Sequence, residues 1–231
     1  MNNKVSVLMA TYNGEKYILE QLQSILPQLK DGDELIVSDD GSTDKTVEII
    51  KSINCDKIKV VNGPKQGFVK NFINAFNYSK NDYVFFCDQD DVWLEGKREI
   101  MISAFTEGIN LVKHDAVIVD KNLNTIEPSY NLMRGANVSF VKNLWANTFT
   151  GCCMAVKREW LNKMLPVPEK IYHDWWFGLL SCKYKCAKVL NDKLILYRRH
   201  DDNVSQLKPH SLWYRIKQRI YLYRKIRKHK I

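Results

Sequence analysis

The stretch ELIVSDDGSTDKTVEIIKSI, residues 34–53, contains the two periods from which the fold follows. Its first part holds Leu35, Ile36 and Val37 in an unbroken apolar run, the mark of a strand buried on both faces. From Gly41 the period changes. Val47, Ile50 and Ile53 recur at three-residue steps, one face of a helix, behind Ser42 and Thr43, which are good capping residues. Between strand and helix stand two adjacent acids, Asp39 and Asp40.

The same alternation extends to both sides. KVSVLMATY (4–12) reads as a buried strand ending at the polar Asn13-Gly14, and residues 15–29 place Ile18, Leu22, Ile25 and Leu29 at helical spacing. KIKVVN (57–62) is a third strand, residues 67–79 a helix with Phe68, Phe72 and Phe76 four apart, and YVFFCD (83–88) a fourth strand. Strands alternating with helices predict an α/β chain with a mainly parallel sheet covered on both faces. In such sheets ligands bind beyond the carboxyl ends of the strands. Thr11, Asn13, Asp39, Asp40, Asp88 and Asp90 all follow strand ends, so several carboxylates point at one edge.

The second half is less regular. Residues 93–105 read as a helix, 110–120 as containing a strand, and 121–138 as a loop with Pro128 and Gly135. Residues 152–165 read as a strand leading into a helix and 174–185 as a helix. Residues 187–200 read as two short strands around the turn signal Asn191-Asp192.

The chain has 231 residues, 45% hydrophobic and 26% charged, enough for one sizeable core. No run of about 18 apolar residues predicts a spanning helix. The N-terminus lacks a signal-peptide pattern, so a cytosolic protein with six free thiols is expected. Cys182 and Cys186 stand one helical turn apart, but nothing completes a zinc set. The net charge of +9 is concentrated at one end. Nine Lys and Arg, from Lys208 to Lys230, follow the last acid, Asp202; the remainder has 26 basic and 26 acidic residues. Residues 208–231 are therefore set apart as a basic amphipathic helix, with Trp213, Ile216, Ile220 and Tyr223 as its apolar stripe, behind a domain over 1–207. An anionic membrane surface is the expected partner of this helix; packing on the domain with the basic face exposed is the plain alternative. No nucleic-acid motif accompanies it.

VFFCDQDDVW, residues 84–93, poses the chemical question. Asp88, Asp90 and Asp91 crowd together directly after an apolar strand. Like charges this close repel unless water solvates them or a cation sits on them. A solvated turn is the plain alternative for the acids after this strand, and helix capping the plain alternative for Asp39 and Asp40. Hard oxygen ligands in such a cluster suit Mg²⁺ or Mn²⁺.

VSVLMATYNG (5–14), IVSDDGSTDKT (36–46), CDQDD (87–91) and HDWW (173–176), in that order and spacing, resemble family 2 of the inverting nucleotide-sugar glycosyltransferases, which have the GT-A fold. The resemblance runs from about residue 4 to about residue 205 and is nearest in wording to bacterial surface-polysaccharide enzymes. It implies a UDP- or dTDP-sugar donor, with Thr11 lining the base pocket and Asp39 accepting the pyrimidine N3–H. It further implies Asp90 as the direct ligand of Mn²⁺ or Mg²⁺, Asp88 near ribose and metal, and Asp91 at donor-sugar hydroxyls. Lys70-Asn71 resembles a basic-Asn pair near the donor. The cations of the Arg198-Arg199-His200 run could meet the diphosphate, and His200 corresponds to a further metal ligand in some related enzymes, although the run reads equally as a solvated charge cluster. Asp174 stands where the family presents its general base, usually within an acidic pair. Here the neighbour is His173, whose role stays open between orienting Asp174, touching the acceptor and capping the helix. Gly151 and one of Trp175 and Trp176, with Trp175 favoured, fall on the acceptor side.

The function expected is an inverting glycosyltransferase, acting at the cytoplasmic face of the inner membrane on a polyprenyl-diphosphate-linked oligosaccharide. A metal-dependent nucleotidyltransferase or phosphoesterase using the same acids is the alternative. A basic binding protein gives no reason for Asp39, Asp88, Asp90 and Asp174 to follow one another in this order.

Overall fold

The apolar runs of the first half become β1 (Val5–Thr11), β2 (Glu34–Asp39), β3 (Ile58–Asn62) and β4 (Tyr83–Cys87), separated by α1 (Ile18–Ile25), α2 (Thr46–Ser52) and α3 (Phe68–Tyr78). The computed structural model of the protein describes residues 3–201, 203 and 211–230. The second half contributes β5 (Val92–Trp93), α4 (Lys97–Ser103), β6 (Leu111–Val119), β7 (Thr125–Glu127), α5 (Tyr130–Arg134) and α6 (Phe140–Trp145). These are followed by β8 (Met154–Lys157), α7 (Arg158–Met164), α8 (His173–Lys183), β9 (Ala187–Arg198) and α9 (Leu212–Lys228).

Among the described residues the strands form one sheet in the order β3-β2-β1-β4-β8-β6-β9-β5, with β7 beside β6. The pairs within β3-β2-β1-β4 are all parallel, as are β6 and β9, whereas β8 runs antiparallel to both β4 and β6. Successive residues of β4 serve opposite faces. Val84 and Phe86 join a core with α3, α7, α8 and α9, while Phe85 and Cys87 join one with α1 and α4. Each aliphatic side chain buried in this way contributes about 1.5–3 kcal/mol. The chain order reverses between β1 and β4, so their carboxyl ends flank a switch point where a ligand cleft forms.

Several expected elements are redrawn. The stretch 121–138, expected as a loop, contains β7 and α5; Ser129 caps α5, its side chain accepting from the Leu132 N–H, and Gly135 closes it in the left-handed conformation. Over 187–200 the two short strands expected are one, Ala187–Arg198. Asn191 and Asp192 lie where the pairing of β6 with β9 slips, since Lys113 faces Val189 and Asp115 faces Lys193. Val92 and Trp93 pair with Leu196 and Ile195, so helix α4 starts only after left-handed Gly96. Ser42 and Thr43 belong to the loop before α2, where they bond Asn13.

In α9 the side turned to the body carries Leu222 and Ile226, both buried, rather than the expected stripe. Trp213, Ile220 and Tyr223 are exposed. Arg219 donates from Nε and Nη2 to the Trp145 carbonyl at 3.1 and 2.9 Å. All six cysteines are free. Among the described residues no helix is long and apolar enough to cross a membrane.

One buried ion pair ties the start of the sheet to α4. Arg98 meets Asp33 through Nε at 2.6 Å and Nη2 at 3.0 Å, and the Asp33 carboxylate also accepts the Val5 N–H at 2.7 Å. Neither side chain is more than 6% exposed. Arg98→Met leaves that carboxylate buried without its cation, and the expected loss is about 3–5 kcal/mol in urea denaturation. A loss under about 1 kcal/mol would show that water already reaches Asp33.

Candidate active site

The carboxyl ends of β1 and β2 are bonded into one rigid edge. Thr11 Oγ1 donates to Asp39 Oδ2 at 2.9 Å, and the same carboxylate accepts the N–H groups of Gly41 and Ser42 and the Ser42 hydroxyl. Asp39 thus already holds four donors, the capacity of a carboxylate. Asp40 accepts the N–H groups of Lys65 and Gly67 and pins the approach to α3. Asn71 is buried beneath this edge, donating to the Ser38 carbonyl at 2.6 Å. Gly63 allows the close approach. A Cβ there would lie 2.7 Å from the Asp39 carbonyl oxygen and 2.5 Å from Asn71 Oδ1.

Gln89, passed over in the sequence as the spacer of the acidic motif, bridges β1 to the acidic loop. Its Oε1 accepts the Tyr12 N–H at 2.9 Å and its Nε2 donates to the Tyr12 carbonyl at 3.0 Å. A Cβ on Gly14 would meet Gln89 at 2.4 Å, so glycine makes room for this bridge.

The acidic loop leaves β4 with Asp91 buried and Asp88 and Asp90 half-buried. Burial, then the charge of Asp90, pushes Asp88 up to about 7. Burial, then Asp90 and Asp88, pushes Asp91 well above the carboxylate range. Asp91 Oδ1 accepts the Arg198 N–H at 3.1 Å, while its buried Oδ2 has no partner. Asp90 Oδ2 lies 2.9 Å from His200 Nε2, so two residues singled out as metal ligands stand together. Asn203 completes that corner, and the His200 ring packs on Tyr17.

Arg198 braces the loop from below. It is buried, bonds the carbonyls of Asp90 and Lys121, pairs with Glu20 and stacks on Tyr17. Lys97, unremarked in the sequence, is also buried. Its Nζ donates to the Cys152 carbonyl at 2.9 Å and lies over the Trp93 ring.

Asp88, Asp91 and Cys152 offer ligand atoms within 4.8 Å of one another. The neighbouring Cys153 and burial hold the Cys152 thiol well above its usual range, so it stays protonated and offers little to a hard cation. The carboxylates are different. The orphaned Asp91 oxygen and the like-charge crowding are what a divalent cation would relieve, and oxygen donors suit Mg²⁺ or Mn²⁺. The residues therefore fit such an ion.

Across the pocket, α8 begins with His173 and Asp174. Burial raises Asp174 to about 6, against hydrogen bonds from the Trp175 N–H and the Asn147 side chain and the charge of Arg134. The charge of Asp174 adds to the upward push on Asp88, after burial and the charge of Asp90. His173 is buried among Phe68, Phe72, Phe86 and Phe177 with both ring nitrogens unpartnered, and burial lowers it to about 3, so its ring is neutral. A Cβ on Gly151 would stand 2.9 Å from His173 Nε2. Trp175 is buried too; its Nε1 donates to the Asn143 carbonyl and Arg219 covers its ring at 4.9 Å. Trp176 donates to the Met164 carbonyl from the core. Both indoles wall the pocket from behind rather than opening onto it.

The profile of glycosyl transferase family 2 matches residues 6–165. An uncharacterized glycosyltransferase of Nostoc sp. is 29% identical over 87% of this chain, which spans 66% of that relative's length, just under two thirds. The dTDP-rhamnosyl transferase RfbG of Shigella flexneri is 30% identical over 84% of this chain and 72% of its own. The UDP-Glc:alpha-D-GlcNAc-diphosphoundecaprenol beta-1,3-glucosyltransferase WfgD of Escherichia coli is 27% identical over 80% of this chain and 76% of its own. Among solved structures, S. aureus TarS with UDP-GlcNAc superposes with a TM-score of 0.70 at 21% identity, covering 95% of this chain and 66% of that one. Glucosyl-3-phosphoglycerate synthase from Mycobacterium tuberculosis, with Mn²⁺, UDP and glucosyl-3-phosphoglycerate, gives 0.65 at 20% identity, covering 97% and 80%. These likenesses establish the GT-A fold.

The raised Asp174 has a measurable sign. Its folded pKa lies above the unfolded one, so the native state prefers the neutral form. Stability is therefore lost as pH climbs from about 4 through about 6. Asp174→Asn removes that loss. At pH 8 the variant should be more stable by about 2 kcal/mol in urea, with the difference closing towards pH 4. Equal stability at pH 8 would show that the carboxylate is well solvated.

Proposed function

The chain belongs to glycosyl transferase family 2, and from that premise we propose that it transfers a sugar, with inversion, from a UDP- or dTDP-sugar to a hydroxyl of a lipid-linked oligosaccharide. The observation that carries this reading is the acidic loop at the β1/β4 switch point, Asp91 buried and Asp88 and Asp90 half-buried, together with Asp174, raised by burial, at the start of α8. An anionic diphosphate enters such a pocket only with positive charge to offset the carboxylates. Asp90 and His200 would hold Mn²⁺ or Mg²⁺, with Asp88 beside them. The bound ion supplies charge stabilisation for the departing nucleoside diphosphate. The Mn²⁺ and UDP of the mycobacterial synthase structure support this choice.

The chain's own groups do the rest. Thr11 and Asp39 face the nucleoside. To accept a pyrimidine N3–H, Asp39 must release one of its four donors, and the Ser42 hydroxyl, which can rotate, is the one that can leave. Asn71 keeps the β1 and β2 ends in place under the donor, and Asp91, last of the three acids, takes donor-sugar hydroxyls. Asp174 takes the proton from the attacking acceptor hydroxyl on the face opposite the diphosphate. Gly151, His173 and Trp175 shape the acceptor side. His173, neutral and caged by rings, holds the start of α8 rather than exchanging protons.

The acceptor class rests on relatives whose names specify dTDP-rhamnosyl transfer and a diphosphoundecaprenol acceptor. A lipid-linked acceptor places the work at a membrane surface, here the cytoplasmic face of the inner membrane. The outward face of α9, with Trp213, Ile220, Tyr223, Lys217, Arg224 and Arg227, has the composition for contact with anionic lipid.

Incubation with UDP- or dTDP-sugars, Mn²⁺ and a diphosphate-lipid acceptor should release nucleoside diphosphate together with glycosylated lipid. Release of sugar 1-phosphate with the nucleoside monophosphate carried on the acceptor would instead identify a nucleotidyltransferase, and release of free nucleoside monophosphate or inorganic phosphate a phosphoesterase. Asp90→Ala should abolish the Mn²⁺-dependent thermal stabilisation by UDP; an unchanged metal requirement would move the ion elsewhere. In Asp174→Asn the transfer rate should fall by about a hundredfold or more while UDP still binds. The wild-type kcat/KM should rise as pH passes through about 6 and Asp174 ionises. Near wild-type transfer by the variant would assign the base to another group. Because Leu222 and Ile226 are core, the membrane contact is tested on the outer face, with Arg224→Glu/Arg227→Glu. Binding to phosphatidylglycerol vesicles should weaken, and added salt should mimic the loss. Vesicle binding indifferent to both would remove the membrane role.

A further inference from the structure

Between α5 and α6 runs a groove of about 450 Å³, lined by Arg134, Gly135, Asn137, Val141, Lys142, Trp145, Ala146 and Thr148. Its two characters are unusual together. One is apolar: Val141 is 72% exposed and Trp145 58%, with Leu132 at 83% on neighbouring α5. Side chains of this kind left in water at one place mark a surface with a partner. The other is cationic: Arg134 and Lys142 line the same groove, and from Pro128 to Arg158 the sequence contains no acid. Across α6, Arg219 adds a further guanidinium on the Trp145 carbonyl. A neutral apolar peptide would leave these cations unmatched, and a sugar alone would leave the apolar side chains in water. The complement is an anion joined directly to a hydrocarbon chain.

The groove is joined to the pocket of the base. Arg134 Nη2 donates to the Asn147 carbonyl at 3.0 Å, and the Asn147 side chain bonds Asp174. One residue thus spans from the guanidinium to the carboxylate that receives the acceptor's proton. We propose that this groove binds an isoprenoid diphosphate, the diphosphate between Arg134 and Lys142 and the first isoprene units along Val141 and Trp145, so that the sugar carried on the diphosphate reaches Asp174. A guanidinium fork matches phosphate oxygens in pairs, and the ammonium of Lys142 adds a point charge. Recognition of the acceptor is then set by its diphosphate and lipid as well as by its sugar. The assignment rests on the reading of Asp174 as the group facing the acceptor.

The probe is farnesyl diphosphate, titrated into the full chain by calorimetry with EDTA present, so that no metal can draw the diphosphate into the donor pocket. Saturable binding is expected, undisturbed by UDP. Lys142→Gln and Arg134→Gln should each weaken it about tenfold, the scale of a hydrogen bond to a charged group. Val141→Ser/Trp145→Ser should weaken farnesyl diphosphate about tenfold while leaving the weaker binding of inorganic pyrophosphate unchanged. Lys142 and Val141 are exposed, so thermal melting of those variants should match the wild type and separate lost binding from lost folding. The proposal is overturned if farnesyl diphosphate binds all variants alike, if UDP displaces it, or if phosphatidylglycerol vesicles compete equally well, which would make the groove a general lipid contact. A wild type that binds the probe in this way yet turns over no nucleotide sugar would refute the transferase reading and leave the site standing. Turnover without probe binding would do the reverse.

Discussion

Three carboxylates crowded into one short loop, Asp91 buried and Asp88 and Asp90 half-buried, repel each other, and much of the surrounding chain is arranged to contain that repulsion. Arg198 meets the loop twice, through its own N–H to Asp91 and through its side chain to the Asp90 carbonyl. Gln21 reaches across from α1 to the Asp88 carbonyl, and Gln89 fastens the loop to β1. The pairing of β5 with β9 closes the loop from its far side. These groups leave the carboxylate charge uncancelled. Asp88 and Asp91 are still pushed up, so burial and like-charge crowding outweigh these contacts.

The antiparallel half of the sheet acquires its purpose from the same constraint. β9 is long because its end must deliver Arg198 and His200 to a loop more than a hundred residues earlier in the chain. The slip at Asn191 and Asp192 absorbs extra residues while the rest of the strand stays in the sheet. On the other flank, β8 begins immediately after the turn at Gly151, and that turn presents the Cys152 carbonyl to Lys97. Sheet geometry and site geometry are one arrangement here.

The parts legible in the sequence were those whose signal is local. Unbroken apolar runs gave β1, β2 and β4, and the acids after them fell at one edge because strand ends must. What escaped depended on distant partners. Lys97 looks like any solvent-facing lysine of a helix, and only the fold buries it. Arg198 looked like part of a charge cluster, yet its partners come from α1, the acidic loop and the turn before β7. The sequence favours Trp175 over Trp176 for the acceptor side, yet packing buries both indoles. For α5 and α6 a local signal did exist. Ser129 and Ser139 each accept a backbone N–H three residues on, the usual N-cap bond, but Pro128 and Gly135 suggested an irregular stretch.

The position of Arg219 has a consequence for how this protein can be recombined. It lies between two indole-bearing segments, bonded to the carbonyl of Trp145 and stacked over Trp175, one residue after Asp174. The last helix is therefore no exchangeable module. A chimera that grafts another relative's tail at the start of α9 would also replace the guanidinium stacked on Trp175, next to Asp174. Crossover points that respect this coupling fall beyond Ile226, or else Trp145, Trp175 and Arg219 must travel as a set.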